Sequence, residues 1–139
     1  MQPTATLLSS SAPRPGAAAW TGRVLSALVV VFLLFDGLIK VIGMDVVRDT
    51  LAQLGYPSDI GFGLGVMTMG IAVLYAIPRT AVLGAILLTG LLGGAMATHL
   101  RVGSPVFSHL LFGGYLGLLA WGGLYLRDEK LRALLPLRR

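Results

Sequence analysis

The sequence predicts an all-α integral membrane protein: a four-helix bundle with a short amphipathic surface helix between helices 1 and 2. Three observations support this fold class. Hydrophobic residues make up 55% of the 139 residues and charged residues only 12%, about half the charged fraction of a soluble domain. The mean hydropathy is +0.82. Four apolar stretches are each long enough to cross a bilayer core of about 30 Å.

The first crossing is predicted over residues 21–40, where the stretch 24–35 is apolar except for Ser26. Residues 1–19 are rich in Ser, Ala and Pro, a composition typical of disorder, so we expect them to form a disordered N-terminal tail. The transmembrane domain is therefore predicted over residues 20–127, followed by a basic cytoplasmic tail over residues 128–139.

A short amphipathic helix is predicted over residues 45–56, because apolar side chains there form a rough stripe on one face. Asp45 is suited to its start, and Gly55 followed by Pro57 is suited to its end. Three further apolar stretches predict the remaining crossings, over residues 60–77, 81–100 and 106–126. Close packing of these helices is predicted at three pairs of glycines: Gly61 and Gly65, Gly90 and Gly94, Gly113 and Gly117.

Basic residues divide unevenly between the two sides of such a bundle. Four crossings place both termini on one side, and eight of the 11 basic residues fall there. Because basic loops stay on the cytoplasmic side, both termini of this multi-pass protein are predicted to be cytoplasmic. Trp20, Tyr75, Trp121 and Tyr125 lie near the same side and are expected to form an aromatic belt at the lipid interface.

The composition also excludes several classes of function. The chain has no cysteine, which excludes disulfides, thiolate metal sites and thiol nucleophiles of its own. Its net charge is +5, and the basic residues lie at helix ends, where anionic lipid and membrane orientation account for them. Nucleic acid is therefore not a predicted partner. The lipid bilayer is the partner that this composition requires.

Polar side chains gather in the outer half of the predicted bundle, away from the termini. Asp36 and Lys40 lie four residues apart and so share one face of the first helix. His99 ends the third crossing and His109 lies one turn into the fourth, so both are expected at similar depth. An acid within a membrane helix is costly and normally faces protein, a partner charge or water. The candidate catalytic residues are Asp36, His99 and His109, and the candidate ligand-binding residues are Lys40, Arg101 and Tyr56.

Each of these residues also has a purely structural interpretation. Lys40 can extend to the lipid headgroups, and Arg101 can be an ordinary charge at a helix end. Asp36 can serve as the ion-pair partner of either residue, and the histidines can form hydrogen bonds between helices. Two neutral imidazoles also bind haem or a metal, but no spacing here is diagnostic, so haem is disfavoured and no metal site is predicted.

Short motifs carry a resemblance to a known family: Gly37-x-x-Lys40, LGYP at 54–57, IPRT at 77–80, and GLLGGAMATHLRVGSP at 90–105 with its Gly94, Ala95 and His99. Over roughly residues 20–127 the chain resembles the DoxX-like family of small four-helix bacterial membrane proteins. This resemblance implies a four-helix bundle in the bacterial cytoplasmic (inner) membrane.

The resemblance implies little about activity. Some relatives look like the membrane subunit of a thiosulfate:quinone oxidoreductase, and others are associated with membrane complexes for oxidant resistance. Lys40 and His99 are the positions that match the family's motifs. Thiol chemistry would require a partner's sulfur, because this chain has no cysteine.

Four functions stay open at the level of sequence. The first is a quinone- or lipid-binding accessory subunit of a membrane redox or oxidative-stress system, with a membrane or soluble redox partner. Glycine-rich helices can leave a flat apolar slot for a quinone, and a histidine or Asp36 can supply a proton. The second is a small-solute or proton transporter or channel subunit, which a homo-oligomer would favour.

The third is a non-catalytic membrane scaffold that recruits a partner through its basic tail. The fourth is a membrane enzyme that acts on a lipophilic substrate, with Asp36 and a histidine as an acid–base pair. The redox accessory ranks first, mostly because of the resemblance.

Overall fold

The computed structural model describes residues 14–135, which form helices and their connections without a strand. In chain order the elements are α1 (Ala17–Val41), α2 (Asp45–Gln53), α3 (Ile60–Ala76), α4 (Ala81–Arg101), a π-helical turn (Val106–Leu110), α5 (Phe112–Arg127) and α6 (Glu129–Leu134). The all-α prediction is confirmed. α1 begins inside the segment predicted as a tail, and residues 1–13 and 136–139 of the two predicted tails lie outside the described residues.

Four of these helices pack side by side. α1 packs against α3 and α5, and α4 closes the ring by packing against the same two helices. Neighbours run antiparallel, because Gly22 near the start of α1 meets Gly123 near the end of α5, and Gly37 near the end of α1 meets Gly65 near the start of α3. α1 and α4 therefore occupy opposite corners. We call the end of the bundle where α1 and α4 finish the outer end, and the opposite one the inner end.

Three helical segments are long and apolar enough to cross a membrane: Ala17–Val41, Ala81–Arg101 and Val106–Arg127. α3 is also apolar but has 17 residues, a length of about 26 Å. It packs against both α1 and α4. The crossing over residues 60–77 therefore stays a prediction, and the membrane character of the chain rests on the three longer segments.

Glycines end the helices that finish at the outer end. Gly43 after α1, Gly55 after α2 and Gly103 after α4 have φ angles of 69°, 76° and 69°, in the left-handed region that a side chain would strain. The amide that follows turns back to a carbonyl five residues earlier, as Ser104 N does to His99 O at 3.0 Å. The predicted stop at Gly55 is confirmed, and the turn after α4 brings Ser104 back to His99.

Two of the three predicted glycine pairs pack inside the structure. A Cβ on Gly65 would lie 2.7 Å from the Gly37 carbonyl oxygen, and one on Gly113 would lie 2.8 Å from a methionine side chain of α4. The prediction for the pair on α4 is wrong. Around a Cβ on Gly90 or Gly94, no atom of another described element lies within 4 Å, so both glycines face away from the bundle.

α6 folds back onto the inner end of the bundle. The Asp128 side chain accepts hydrogen bonds from the Lys130 and Leu131 amides at 2.9 and 3.1 Å, which caps this short helix. Leu131 is buried and joins the hydrophobic core. The first half of the predicted basic tail is therefore an anchored helix.

Candidate functional site

Asp36 and Lys40 form an ion pair on the outer part of α1. The Lys40 ammonium donates to Asp36 Oδ2, one helical turn away. The Asp36 side chain is 30% exposed and that of Lys40 is 23% exposed. An unpaired carboxylate at this depth of a membrane helix is costly, and the Lys40 ammonium compensates the negative charge of Asp36. Of the two partners that the sequence offers Asp36, the structure brings Lys40 to it rather than Arg101.

Arg101 and Tyr56 hold the connection after α2 against the end of α4. Arg101 Nη2 donates to the Leu54 carbonyl oxygen at 2.6 Å. The Thr98 hydroxyl donates to the Gly94 carbonyl oxygen at 2.9 Å, so at 3.0 Å it accepts from the Tyr56 hydroxyl. Both candidate ligand-binding side chains therefore contact the chain itself, and their binding of a ligand stays a prediction.

His99 and His109 lie in contact at the corner between α4 and α5. Their ring centroids are 5.6 Å apart at an interplanar angle of 64°, so the predicted similar depth is confirmed. His99 Nδ1 shares a hydrogen bond with the Ser104 hydroxyl at 2.9 Å, and His109 Nδ1 shares one with the Ser108 hydroxyl at 2.7 Å. The structure thus pairs the two imidazoles and gives each one a serine.

The π-helical turn before α5 sets the position of His109. The Leu110 and Leu111 amides bond to carbonyl oxygens five residues earlier, at 3.2 and 2.8 Å. Such turns are rare and are frequent at functional sites. The crossing predicted over residues 106–126 corresponds to the apolar segment Val106–Arg127, whose first turn is π-helical, so α5 proper begins at Phe112.

The polar residues of the outer end fall into three separate groups. Across residues 14–135, the hydrogen bonds and ion pairs of the Asp36–Lys40 pair, of Tyr56 with Arg101, and of the histidines connect no group with another. Asp36 lies on α1, at the corner opposite α4. An acid–base pair of Asp36 with a histidine finds no support in these contacts, and the catalytic roles stay predictions.

A polar cavity of about 250 Å³ opens at the outer mouth between α1, α2 and α3. Its charged lining residues are Lys40, Arg48 and Asp59. Arg48 also lies 3.6 Å from an Asp45 carboxylate oxygen, in an exposed pair. The cavity gives the Lys40 end of the ion pair a space that water or a lipid headgroup can enter.

An apolar groove of about 370 Å³ lies between α1 and α5. The Phe32 and Phe112 rings meet in its outer part, with centroids 5.4 Å apart. Tyr115 is 48% exposed and brings one phenol hydroxyl to otherwise apolar walls. Asp36 lies one turn beyond Phe32, so the ion pair stands just outside the outer end of the groove. The groove is lined by Leu28, Val29, Phe32, Phe112, Tyr115, Leu116 and Leu119.

A buried polar network near the inner end was not predicted from the sequence. The Tyr75 hydroxyl donates to the Ala120 carbonyl oxygen at 2.7 Å and accepts from the Ser26 hydroxyl at 3.0 Å. The Arg127 guanidinium lies 5.3 Å from the centre of the Tyr75 ring and donates to the Tyr75 carbonyl oxygen at 3.1 Å. Tyr75 is 0% exposed, so its assignment to the lipid-facing belt is wrong. Ser26 was the available signal, because a polar side chain in an apolar helix needs a partner.

Comparison with protein families identifies a match that covers most of the chain. A model described as the DoxX-like family matches residues 24–123, which include Asp36, both histidines and the whole apolar groove. No curated protein and no solved structure matches the chain significantly. The resemblance drawn from the short motifs is therefore confirmed.

Proposed function

Because the chain belongs to the DoxX-like family of membrane proteins, we propose that it binds a quinone or a lipid as an accessory subunit of a membrane redox or oxidative-stress system. The apolar groove between α1 and α5 carries this proposal. Its volume of about 370 Å³ falls in the range of small-molecule sites. Both walls belong to segments long enough to span a membrane, so a lipophilic molecule reaches the groove from the bilayer.

The lining chemistry suits a flat ring with an apolar tail. Phe32 and Phe112 offer aromatic faces, and such ring contacts contribute about 0.5–1.5 kcal/mol beyond burial. Tyr115 offers a hydroxyl donor, and a quinone carbonyl is an acceptor. Leu116 and Leu119 continue the groove toward the inner end, where an isoprenoid or acyl tail has leucine side chains to contact.

The accessory role follows from what the chain lacks. It has no cysteine, so a thiol that gives electrons to a quinone belongs to a membrane or soluble partner. The Asp36–Lys40 pair begins one turn beyond Phe32 of the groove, and the polar cavity beside Lys40 opens at the same outer end of the bundle. A polar headgroup finds a charged pair there, and so do the protons that a quinone takes up when it is reduced.

The binding test compares two neighbouring leucines of α5. Leu119 lines the groove, whereas Leu118 is 75% exposed and lies outside it. Leu119→Trp fills the groove, and Leu118→Trp adds the same side chain to the lipid-facing side. We expect decylubiquinone, titrated into protein in mild detergent, to bind at least tenfold more weakly to Leu119→Trp and unchanged to Leu118→Trp.

Mass spectrometry of extracts from the purified protein identifies the natural occupant. A stoichiometric quinone supports the redox role, and one enriched lipid species supports the lipid alternative. Bulk phospholipid alone, together with equal decylubiquinone affinities for the two tryptophan variants, would remove the groove as a binding site.

The orientation is a proposal of its own. We place both termini in the cytoplasm of a bacterium, because Arg23, Arg79, Arg127, Lys130 and Arg132 all lie at the inner end. The absence of native cysteine makes single-cysteine labelling unambiguous. In intact spheroplasts, an impermeant maleimide should label Ser58→Cys at the outer end and leave Arg79→Cys at the inner end unlabelled. The reverse pattern would invert the orientation.

A further inference from the structure

The two imidazoles in contact at the corner between α4 and α5 lie outside the lining of the apolar groove. His99 and His109 are the only histidines of the chain, and they come from different elements, α4 and the π-helical turn. They are ten positions apart in the sequence, yet their rings are in contact. The turn after α4 and the π-helical turn together produce this contact, and each supplies a serine to the imidazole beside it.

We propose that His99 and His109 form a binding site for a divalent transition metal ion such as Cu²⁺ or Zn²⁺, each through Nε2. Both Nδ1 atoms are held by serine hydroxyls, so Nε2 is the ring nitrogen left for a ligand. When Nδ1–H donates to the serine oxygen, Nε2 carries the lone pair. Histidines that bind metals almost always donate their other ring N–H in this way, which fixes the tautomer and the ring orientation.

The separation of the rings fits a shared ion. With a metal–nitrogen distance of about 2.1 Å, the metal lies about 3.2 Å from each ring centroid. At a tetrahedral angle, the two centroids would then be about 5.2 Å apart. The observed separation is 5.6 Å, within a few tenths of an ångström of that value.

Charge around the pair permits a cation. Arg101 is the basic residue nearest to His99 in the sequence. Its guanidinium donates to the Leu54 carbonyl oxygen at 2.6 Å, on the connection between α2 and α3. In the described part of the chain no group of three or more His, Asp or Glu side chains could hold a metal, so this site has two protein ligands and leaves positions for water. Nitrogen ligands bind Cu²⁺ most strongly among the first-row divalent ions, so Cu²⁺ is the sharpest probe.

The experiment uses full-length protein purified in detergent on a tag without histidine and stripped with a chelator. Cu²⁺ is titrated by calorimetry, and its electron paramagnetic resonance spectrum counts the nitrogen ligands. We expect one Cu²⁺ per chain with two imidazole nitrogens. His109→Gln should bind Cu²⁺ at least tenfold more weakly, a loss of about 1.4 kcal/mol, with one nitrogen left.

Two further variants make the result decisive. Asp45→Asn removes an exposed carboxylate of the outer end and should leave Cu²⁺ binding unchanged. Because His99 is partly buried, His109→Gln in the exposed turn is the main variant. Its circular dichroism spectrum is compared with that of the wild type to show that it is folded. A wild-type spectrum with one nitrogen, or unchanged affinity in His109→Gln, would overturn the proposal.

Discussion

The contact between α1 and α5 near the inner end yields a matched pair of substitutions. A Cβ on Gly123 would lie 2.8 Å from Ser26 Oγ, 3.0 Å from Ser26 N and 3.1 Å from Gly22 O. A Cβ on Gly122, the preceding residue of the same helix, would meet no atom of another described element within 4 Å. Gly123→Ala and Gly122→Ala therefore make the same chemical change with and without a neighbour.

The magnitude follows from these distances. Both substitutions gain up to about 1 kcal/mol of helix propensity, which cancels between them. Gly123→Ala must separate α1 from α5 by about 0.3–0.6 Å to reach ordinary contact, and such overpacking costs about 1–3 kcal/mol. It also pushes the Ser26 hydroxyl away from Tyr75, whose hydrogen bond is worth about 0.6 kcal/mol in a membrane. We expect Gly123→Ala to be less stable than Gly122→Ala by about 1–3 kcal/mol.

The assay is unfolding by sodium dodecyl sulfate in mixed micelles, followed by circular dichroism and tryptophan fluorescence. A difference of 1.4 kcal/mol is about tenfold in the unfolding equilibrium constant, which such titrations resolve. Coincident unfolding curves for the two variants would show that the helices do not approach at Gly123, and the assignment of α5 as the neighbour of α1 would be wrong.

The remaining predictions concern the polar contacts. Tyr75→Phe should destabilise the bundle by about 0.6–1.7 kcal/mol in the same assay, with Tyr125→Phe as control; equal shifts would argue against the buried network. Tyr56→Phe should accelerate amide hydrogen exchange over residues 45–59 while changing stability by less than about 0.5 kcal/mol, and unchanged exchange would refute its role in holding this connection. Asp36→Asn leaves Lys40 without its partner and should cost about 1 kcal/mol, which the further change Lys40→Met recovers; no recovery would contradict the ion pair.

Activity offers a separate test of the outer end. Once a quinone-dependent assay exists, Asp36→Asn and His99→Ala should each impair it more than Arg139→Ala in the basic tail. Equal and negligible effects of all three substitutions would dismiss the candidate catalytic residues.

Several features of the site could be predicted because they depend on local sequence. Asp36 and Lys40 share a helix face by spacing alone, and their ion pair follows from that spacing. The short connection after α4 forces α4 and α5 to be neighbours, so His99 and His109 were expected at one depth. Their serine partners and the π-helical turn were not expected, because a π-helical hydrogen-bond register leaves no distinct composition in the sequence.

The sequence by itself determined the helices, because apolar stretches of this length must satisfy their backbone hydrogen bonds internally, and glycines marked where the helices end. Only the tertiary structure decided which faces meet. Lipid and leucine are equally apolar, so hydropathy does not distinguish a lipid-facing side of a helix from a packed one. For the same reason the outward Gly90 and Gly94, the buried Tyr75 and the separation of Asp36 from His99 appeared only once the helices were placed against each other.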